Sequence, residues 1–336
     1  LFDGGGSAPQ YFDPCSATSV GRTTGANAAQ LTALCAAVDA AGVPLAGSYV
    51  QTPGTQASIS TAGNTALKPE TGTSFTLGLV FAPSNQSALR GMTASVDYFQ
   101  IKVKDAITTP DVNEVIADCY NYYGRNPGYD PNYINCQGIF RGGGDILFVD
   151  DPQSAAGDGT FSGSNGGKIS TSGLDFALGW RGNAGPGQLS LGLNWTYLLS
   201  YKSRSADFLP EKDLAGTIPY FGAGLGQAFP KNKFVVSSAY DFGAVEVDAR
   251  YRWFSAMTNR MAQNFPGEQF GGTQATGYLD MGVTGDIGKN FKVRVGVNNV
   301  LDQEARTYAP NVQSGTDPST FDVIGRRFFL QGEAKF

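Results

Sequence analysis

The chain reads as an all-β protein, an antiparallel sheet whose strands are long enough to cross a bilayer, and three observations lead there. Apolar and polar residues alternate over long stretches, those stretches run 10 to 15 residues, and the connections between them alternate short and long. A period of two places successive side chains on opposite faces of a sheet and cannot serve a helix. Strands of ~5–6 residues suffice in a soluble sandwich, which also alternates, whereas a tilted strand needs roughly 9–11 to cross hydrocarbon. Tight turns at one membrane surface and large loops at the other are the pattern of a transmembrane β-barrel.

Nine strands are expected, at about 72–82, 94–107, 168–181, 188–202, 232–242, 244–257, 275–287, 291–303 and 321–336. The first alternates Phe75, Leu77, Leu79 and Phe81 with Ser74, Thr76, Gly78 and Val80. The third sets Leu174, Phe176, Leu178 and Trp180 against Asp175, Ala177 and Gly179. The fourth is the clearest: Leu189, Leu191, Leu193, Trp195, Tyr197, Leu199 and Tyr201 occupy odd positions, with Ser190, Gly192, Asn194, Thr196 and Ser200 between them. The sixth carries Val245, Val247, Ala249, Tyr251 and Trp253 against Glu246, Asp248, Arg250 and Arg252. The eighth carries Phe291, Val293, Val295 and Val297 against Lys292, Arg294, Gly296 and Asn298. The last sets Ile324, Phe328, Leu330, Ala334 and Phe336 against Arg327, Gln331, Glu333 and Lys335, with Arg326 out of phase. Trp180, Tyr201 and Trp253 fall toward strand ends, where amphipathic rings meet a membrane–water boundary.

Short connections are expected near 82–91, 181–187, 242–244 and 288–290, and long ones near 3–70, 109–166, 204–231, 258–273 and 304–320. The turn Gly288-Lys289-Asn290 predicts a register: Ile287 opposite Phe291, Val283 opposite Val295, Met281 opposite Val297, and Asp286 opposite Lys292 on the polar face. A slip of one residue would turn Lys292 and Arg294 into lipid, at about 2–4 kcal/mol each near the midplane. Arg250, Arg252, Lys292 and Arg294 therefore face the lumen, where they meet an anionic ligand or pair across strands.

Composition agrees. The 336 residues include 45 Gly, 15 Tyr and 22 Phe with 16% charged, which is too apolar and aromatic for disorder. No run of about 18 apolar residues exists, so a spanning helix is excluded, while a barrel hides from hydropathy because half of each strand is polar. The 24 basic and 29 acidic residues give a net charge of -5, which argues against a nucleic-acid partner. Leu1-Phe2-Asp3-Gly4 has neither a basic nor an apolar leader segment, so the chain is expected to begin inside something larger or after processing.

The four cysteines fall two to a loop, Cys15 with Cys35 and Cys119 with Cys136. Closing a loop of about 20 residues stabilises by roughly 3 kcal/mol in the chain-entropy model, and pairing within each loop is the economical reading. Metal ligation is the alternative, but the spacings match no C-x₂-C motif and the chain has no histidine. Two short helices are expected in these loops. Over Ala28–Ala41, Leu31, Leu34, Cys35 and Val38 follow i, i+3, i+4, i+7 spacing, with Gly42 to end it; over Pro110–Tyr123, Val112, Val115, Ile116 and Cys119 do the same, with Thr109 as cap and Pro110 at the first helical position.

Catalysis is not expected. Without histidine there is no Ser-His-Asp or Cys-His arrangement. Gly142-Gly143-Gly144 lacks the Lys-Ser/Thr that a phosphate loop needs and reads as a flexible loop. Asp145, Asp150, Asp151 and Asp158 carry the right oxygens for Ca²⁺, but their spacing matches no EF-hand, and they read as solvated loop acids. No cofactor or metal is expected. The clustered candidates for ligand contact are the loop aromatics Tyr122, Tyr123, Tyr129, Tyr133, Tyr220 and Phe221, whose rings can stack on a sugar or chelate; loop self-packing is the competing reading for each.

Several segments, in order, resemble TonB-dependent outer-membrane receptors. Gly63-Asn64-Thr65-Ala66-Leu67-Lys68-Pro69-Glu70 is similar to the family's GNPxLKPE segment, and Val96-Asp97-Tyr98-Phe99-Gln100-Ile101-Lys102-Val103-Lys104-Asp105-Ala106-Ile107 to its VDYYDIKVKDAI strand. Gly296-Val297-Asn298-Asn299-Val300-Leu301-Asp302 resembles its GVxNLFD signature, and 317–328 the closing strand of a subgroup with paired loop cysteines. The terminal Phe336 matches the aromatic ending that barrel-assembly machinery reads, and Leu1-Phe2 would follow the family's RAPxxxEL strand end.

The resemblance implies an N-terminal plug, a TonB box and a barrel of about 22 strands whose wide lumen the plug closes. Nine strands are the C-terminal part of such a barrel, short of about 13. It further implies an outer-membrane location with large loops extracellular and the C-terminus periplasmic, and binding of a scarce, bulky nutrient of the siderophore, cobalamin or carbohydrate class. Expected partners are the plug and remaining strands of the same receptor, the TonB complex, outer-membrane lipid and lipopolysaccharide, and the assembly machinery. A passive porin or diffusion channel, or a surface-binding barrel with braced loops, are the alternatives, and the sequence N-terminal to this chain separates them.

Overall fold

The computed structural model describes residues 5–7, 10–38, 49–52, 55–84, 87, 89–141, 147–151, 153, 159–219, 228–288, 290–308 and 315–334. Tyr220, Phe221, Asp145, Asp158, Gly142-Gly143-Gly144 and Phe336 lie outside the described residues.

All nine expected strands form, as β1 (Thr71–Phe81), β2 (Met92–Thr108), β3 (Ser164–Ala184), β4 (Gly187–Arg204), β5 (Asn232–Asp241), β6 (Val245–Phe254), β7 (Thr276–Ile287), β8 (Phe291–Asn298) and β9 (Arg327–Ala334). They make one antiparallel meander in which each strand pairs with its sequence neighbours. Connections 82–91, 185–186, 242–244 and 288–290 lie at one end and 109–163, 205–231, 255–275 and 299–326 at the other, so short and long alternate as expected. The β7–β8 register is the predicted one, with Ile287 opposite Phe291, Val283 opposite Val295, Met281 opposite Val297 and Asp286 opposite Lys292. Non-hydrogen-bonded neighbours bring Cβ atoms within about 4.5–5.5 Å. Cysteines introduced together at Val283 and Val295 are therefore expected to cross-link on oxidation, whereas Val283→Cys with Arg294→Cys is not; a non-reducing gel of the assembled protein reads the difference.

The meander is open. β1 is exposed along its whole length and β9 nearly so, with Leu79 at 73% and Phe328 at 78%, and among the described residues neither edge pairs with the other. The apolar face is uncovered as well: Leu191, Val236, Met281 and Val295 are all exposed. A continuous apolar surface of this extent would aggregate in water and suits lipid. No helix among the described residues is long and apolar enough to cross a membrane.

Four expectations need correction, each for a local reason. The fourth strand does not keep one face to its end, because a bulge sets Ser172 opposite Ser200 but Gly173 opposite Leu198, leaving Leu199 as the extra residue. Leu189 to Tyr197 stay on the apolar face, while Tyr201 turns to the polar side, opposite Thr171, and stacks on Phe229 at 3.9 Å. The eighth strand ends at Asn298 rather than 303. Asn299 and Asp302 both take positive φ, the Asn299 amide donates to Asp280 Oδ1 at 2.9 Å, and its side chain bonds Gln303 in both directions. The ninth strand begins at Arg327 rather than 321. Phe321 is buried against Phe254 and Tyr308, and Arg326 is out of phase because it is a turn residue, its N–H held by Asp302 Oδ1 at 2.9 Å and its Nε by Val300 O. Finally, the helix in the second large loop is capped by Asp111, whose carboxylate accepts from the N–H groups of Asn113 and Glu114, rather than by Thr109, and it spans Val112–Cys119.

The buried core lies beyond the wall, in the large loops. The described helices there are α1 (Val20–Thr23), α2 (Ala28–Val38), α3 (Val112–Cys119) and α4 (Met261–Asn264), of which α2, α3 and α4 contribute to the core and α1 buries no residue. Leu31, Leu34 and Cys35 of α2 and Val112, Val115, Ile116 and Cys119 of α3 are buried, as their spacing predicts. They join Tyr11, Leu147, Val149, Phe161, Leu209 and Phe265 in a single cluster drawn from four separate segments. Fully burying such a side chain stabilises by about 1.5–3 kcal/mol, so the loops together form a folded cap. Two disulfides brace it, Cys15–Cys35 and Cys119–Cys136, as the loop-wise pairing predicts.

Candidate ligand-binding site

Two regions are built for contact with something other than lipid: the cap and the polar face of the wall beneath it. In the cap, ionic and hydrogen-bonded groups tie distant segments together. Lys212, 9% exposed, bridges to Glu114 of α3 at 2.9 Å, donates to the hydroxyl of Tyr123 and to Asn264 Oδ1, and lies over the Tyr123 ring at 4.6 Å. Ser205 donates to the other oxygen of Glu114. Burial pushes the Glu114 carboxyl up, and the Lys212 ammonium opposes that shift.

A second clasp centres on Glu268, also 9% exposed. Its carboxylate accepts from Ser19 Oγ at 2.7 Å, from the N–H groups of Val20 and Gly21 at 2.8 Å, and from the Tyr122 hydroxyl at 2.7 Å. Chain segments about 250 residues apart are thereby joined at the first turn of α1, where the unpaired N–H groups of a helix end favour an anion. Glu268→Ala is expected to cost the cap about 3 kcal/mol, since it leaves two amides and two hydroxyls without their charged acceptor. Hydrogen exchange at Val20 and Gly21 in the variant reads the loss.

The four described loop tyrosines are thus held by the cap itself. Tyr122 bonds Glu268 and packs edge-on against Phe265, and Tyr123 receives Lys212. Tyr133 donates to Asp118 Oδ2 at 2.8 Å, its hydroxyl pushed up to about 12 by burial and by that carboxylate, and Tyr129 packs on the cap core. Of the loop acids, the Asp151 carboxylate accepts from the Gln153 N–H, and burial pushes it up. Sequence reasoning missed Lys212, Glu114 and Glu268, because nothing in loop sequence marks a charge that will be buried.

The polar face carries the charges that alternation placed there. Arg294 Nη2 meets Asp248 at 2.9 Å, Arg252 meets Asp280 at 3.4 Å and Lys292 meets Asp286 at 3.7 Å, so three of the four cations pair across strands; Arg250 sits opposite Asp280 in the register. Gly296 is small by necessity, since a Cβ there would strike the ring of Phe329 from the facing strand. At the cap end of this face the segment 318–324 folds against the wall and lines an open cavity of about 650 Å³. Lys233, Arg252 and Arg327 bring three cations to it against Asp322, beside the rings of Phe254 and Tyr278. The Nε atoms of Arg252 and Arg327 are buried and have no acceptor among the described residues.

Such a wall, apolar outside, charged inside and open at both edges, defines a segment of a large membrane barrel. Residues 18–300 match the family described as TonB dependent receptor-like, beta-barrel. The chain belongs to that family, whose members are outer-membrane receptors and transporters. No curated protein sequence matches it. Among solved structures, the siderophore receptor PirA of Acinetobacter baumannii is similar at 16% identity and a TM-score of 0.50, over 84% of this chain and 34% of that one. A mutant of the ferric enterobactin receptor PfeA of Pseudomonas aeruginosa, bound to enterobactin, gives 17%, 0.49, 84% and 34%. The copper transporter OprC gives 14%, 0.45, 82% and 33%. The chain therefore spans about a third of the length of these structures.

Proposed function

We propose that this chain is the C-terminal part of an outer-membrane receptor that captures a scarce, bulky nutrient at its cap and lumen and imports it with energy delivered by TonB. The observation that carries the reading is the open, nine-stranded wall with a charged inner face and a cavity of about 650 Å³ directly under a braced cap. A lumen wide enough for such a wall needs a plug, which in this family is the element that TonB rearranges. The plug and the remaining strands belong to the same gene product. Within the site, Lys233, Arg252 and Arg327 would meet the ligand, and the loop aromatics Tyr122, Tyr123, Tyr129, Tyr133, Tyr220 and Phe221 would contribute rings at the cap. Siderophore, cobalamin and carbohydrate ligands remain the candidate classes.

The test is uptake. Deletion of the gene should abolish accumulation of one radiolabelled chelate, cobalamin or oligosaccharide under starvation for it. Loss of TonB or collapse of the proton gradient should abolish it equally. Uptake that survives both treatments would make the protein a passive channel instead.

A further inference from the structure

The clasp around Lys212 holds an amine, an amide carbonyl and a carboxyl within reach of one another. Lys212 Nζ donates to Asn264 Oδ1 at 2.5 Å and to Glu114 Oε1 at 2.9 Å. With a C=O bond of about 1.2 Å, Nζ stands no more than ~3.7 Å from Cγ of Asn264, at the edge of the ~3–3.5 Å from which a nucleophile attacks. The backbone fixes this approach. Lys212 leaves a two-residue strand paired with Lys202 and Ser203 at the end of β4, and its neighbour Asp213 accepts from Gln263 Nε2 at 2.6 Å, which ties the lysine to α4 one residue before Asn264. Ser205 holds the other oxygen of Glu114.

The site also suppresses the competing reactions of this carbonyl. Asn264 is 4% exposed and Phe265 is fully buried, so water is kept away. The Phe265 N–H, which attacks the same carbon in ordinary deamidation, is committed to Met261 O at 2.9 Å. The amide nitrogen that would leave is weakly held: among the described residues Asn264 Nδ2 has the Met261 sulfur, at 4.0 Å, as its acceptor. Burial pushes the Glu114 carboxyl up, which suits it to take a proton from the ammonium beside it.

We propose that Lys212 and Asn264 join in an intramolecular isopeptide bond, with Glu114 carrying the protons. Glu114 takes one proton from the Lys212 ammonium, and the lone pair freed on Nζ attacks Cγ of Asn264, sending the C=O pair onto Oδ1. Glu114 passes its proton to Nδ2, the carbonyl re-forms, the Cγ–Nδ2 bond breaks and ammonia leaves. Nζ then gives a second proton to Glu114. The products are a secondary amide, ammonia and a neutral carboxyl; nothing is oxidised or reduced, and no co-reactant is needed. The step removes two buried charges, which favours it where an ion pair is desolvated. It follows folding, because three loops must pack before the groups meet, and the ion pair holds the cap until then. The bond links residues 52 apart, in the connections that follow β4 and β6.

The test is a non-reducing peptide map of the complete receptor, purified from membranes and denatured before digestion. Trypsin should fail to cleave after Lys212, and a branched peptide joining Lys212 to Asn264 should appear, lighter than its two parts by one ammonia. Glu114→Gln should leave Lys212 cleavable and Asn264 in a linear peptide, with both cap disulfides present in the same map to show that the cap has folded. Asn264→Asp should give a branched peptide of the same mass as the unmodified receptor's, because loss of water from Asp and of ammonia from Asn leaves the same amide. Linear peptides at both Lys212 and Asn264 in the unmodified receptor would overturn the proposal. A branch that persists in Glu114→Gln would overturn the part given to Glu114.

Discussion

Lys212→Met is expected to loosen the cap by about 3–5 kcal/mol, because it leaves the Glu114 carboxylate buried without its cation. The side chains of Lys212 and Glu114 are 9% and 14% exposed, so water cannot replace the lost partner. The pair joins α3 to the segment that follows β4, and through Asn264 to α4, so three loops lose one fastening at once. Lys212→Met combined with Glu114→Gln should recover most of the loss, since removing both charges of a buried pair is often neutral. The defect should also depend on pH. Burial holds the Glu114 carboxyl above its ordinary value, and in the variant the opposing ammonium is gone. A carboxyl whose folded pKa exceeds its unfolded one adds stability below the unfolded value, ~4.3 for Glu, and loses it as pH rises through the folded value. The deficit should therefore be greatest at neutral pH and shrink on acidification. Protease resistance of the cap, followed from neutral pH down to about pH 4.5, measures both claims. A variant as resistant as the parent at neutral pH would show that the pair is not holding the loops.

What could be read from the sequence follows from how each feature is encoded. Strand alternation is a property of adjacent residues, so all nine strands and the β7–β8 register were legible, down to Asp286 opposite Lys292. The helical spacing of Leu31, Leu34 and Cys35 was legible for the same reason. The errors sit where a single residue resets the phase. The bulge at Leu199 leaves no mark in a run of seven apolar odd positions, and Arg326 looked like an interruption of a strand that in fact begins after it. The clasps were illegible because their partners are remote: Glu268 and Ser19 are separated by 249 residues, and no local pattern announces that a loop glutamate will cap a helix in another segment. The cavity beside Lys233 has the same character, being made by a loop folding back on a wall.

The largest effect expected of this chain concerns its two edges. Residues 1–336 produced alone should fail to assemble as a membrane barrel, and should assemble only when the remaining barrel strands are supplied. Lipid offers no hydrogen bonds, so each unpaired N–H or C=O at membrane depth costs several kcal/mol, and strands there must close on one another. β1 runs for 11 residues and β9 for eight, and among the described residues each pairs on one side only. Half of an edge strand's backbone groups point away from its neighbour, which makes the total for two bare edges exceed the ~5–15 kcal/mol by which a folded protein is stable. Bending nine strands into a small closed barrel would remove the edges, but an odd number of antiparallel strands sets β1 and β9 parallel. It would also turn the bulky, charged side chains of the inner face into a much narrower lumen. Heat-modifiable migration of the chain expressed alone, against co-expression with the N-terminal remainder of the receptor, decides the matter. Cysteines at Leu77 and Leu330 that cross-link to each other would show β1 meeting β9 and end the case for a larger barrel. Cross-links from both positions to the companion segment would place each edge against a strand this chain does not contain.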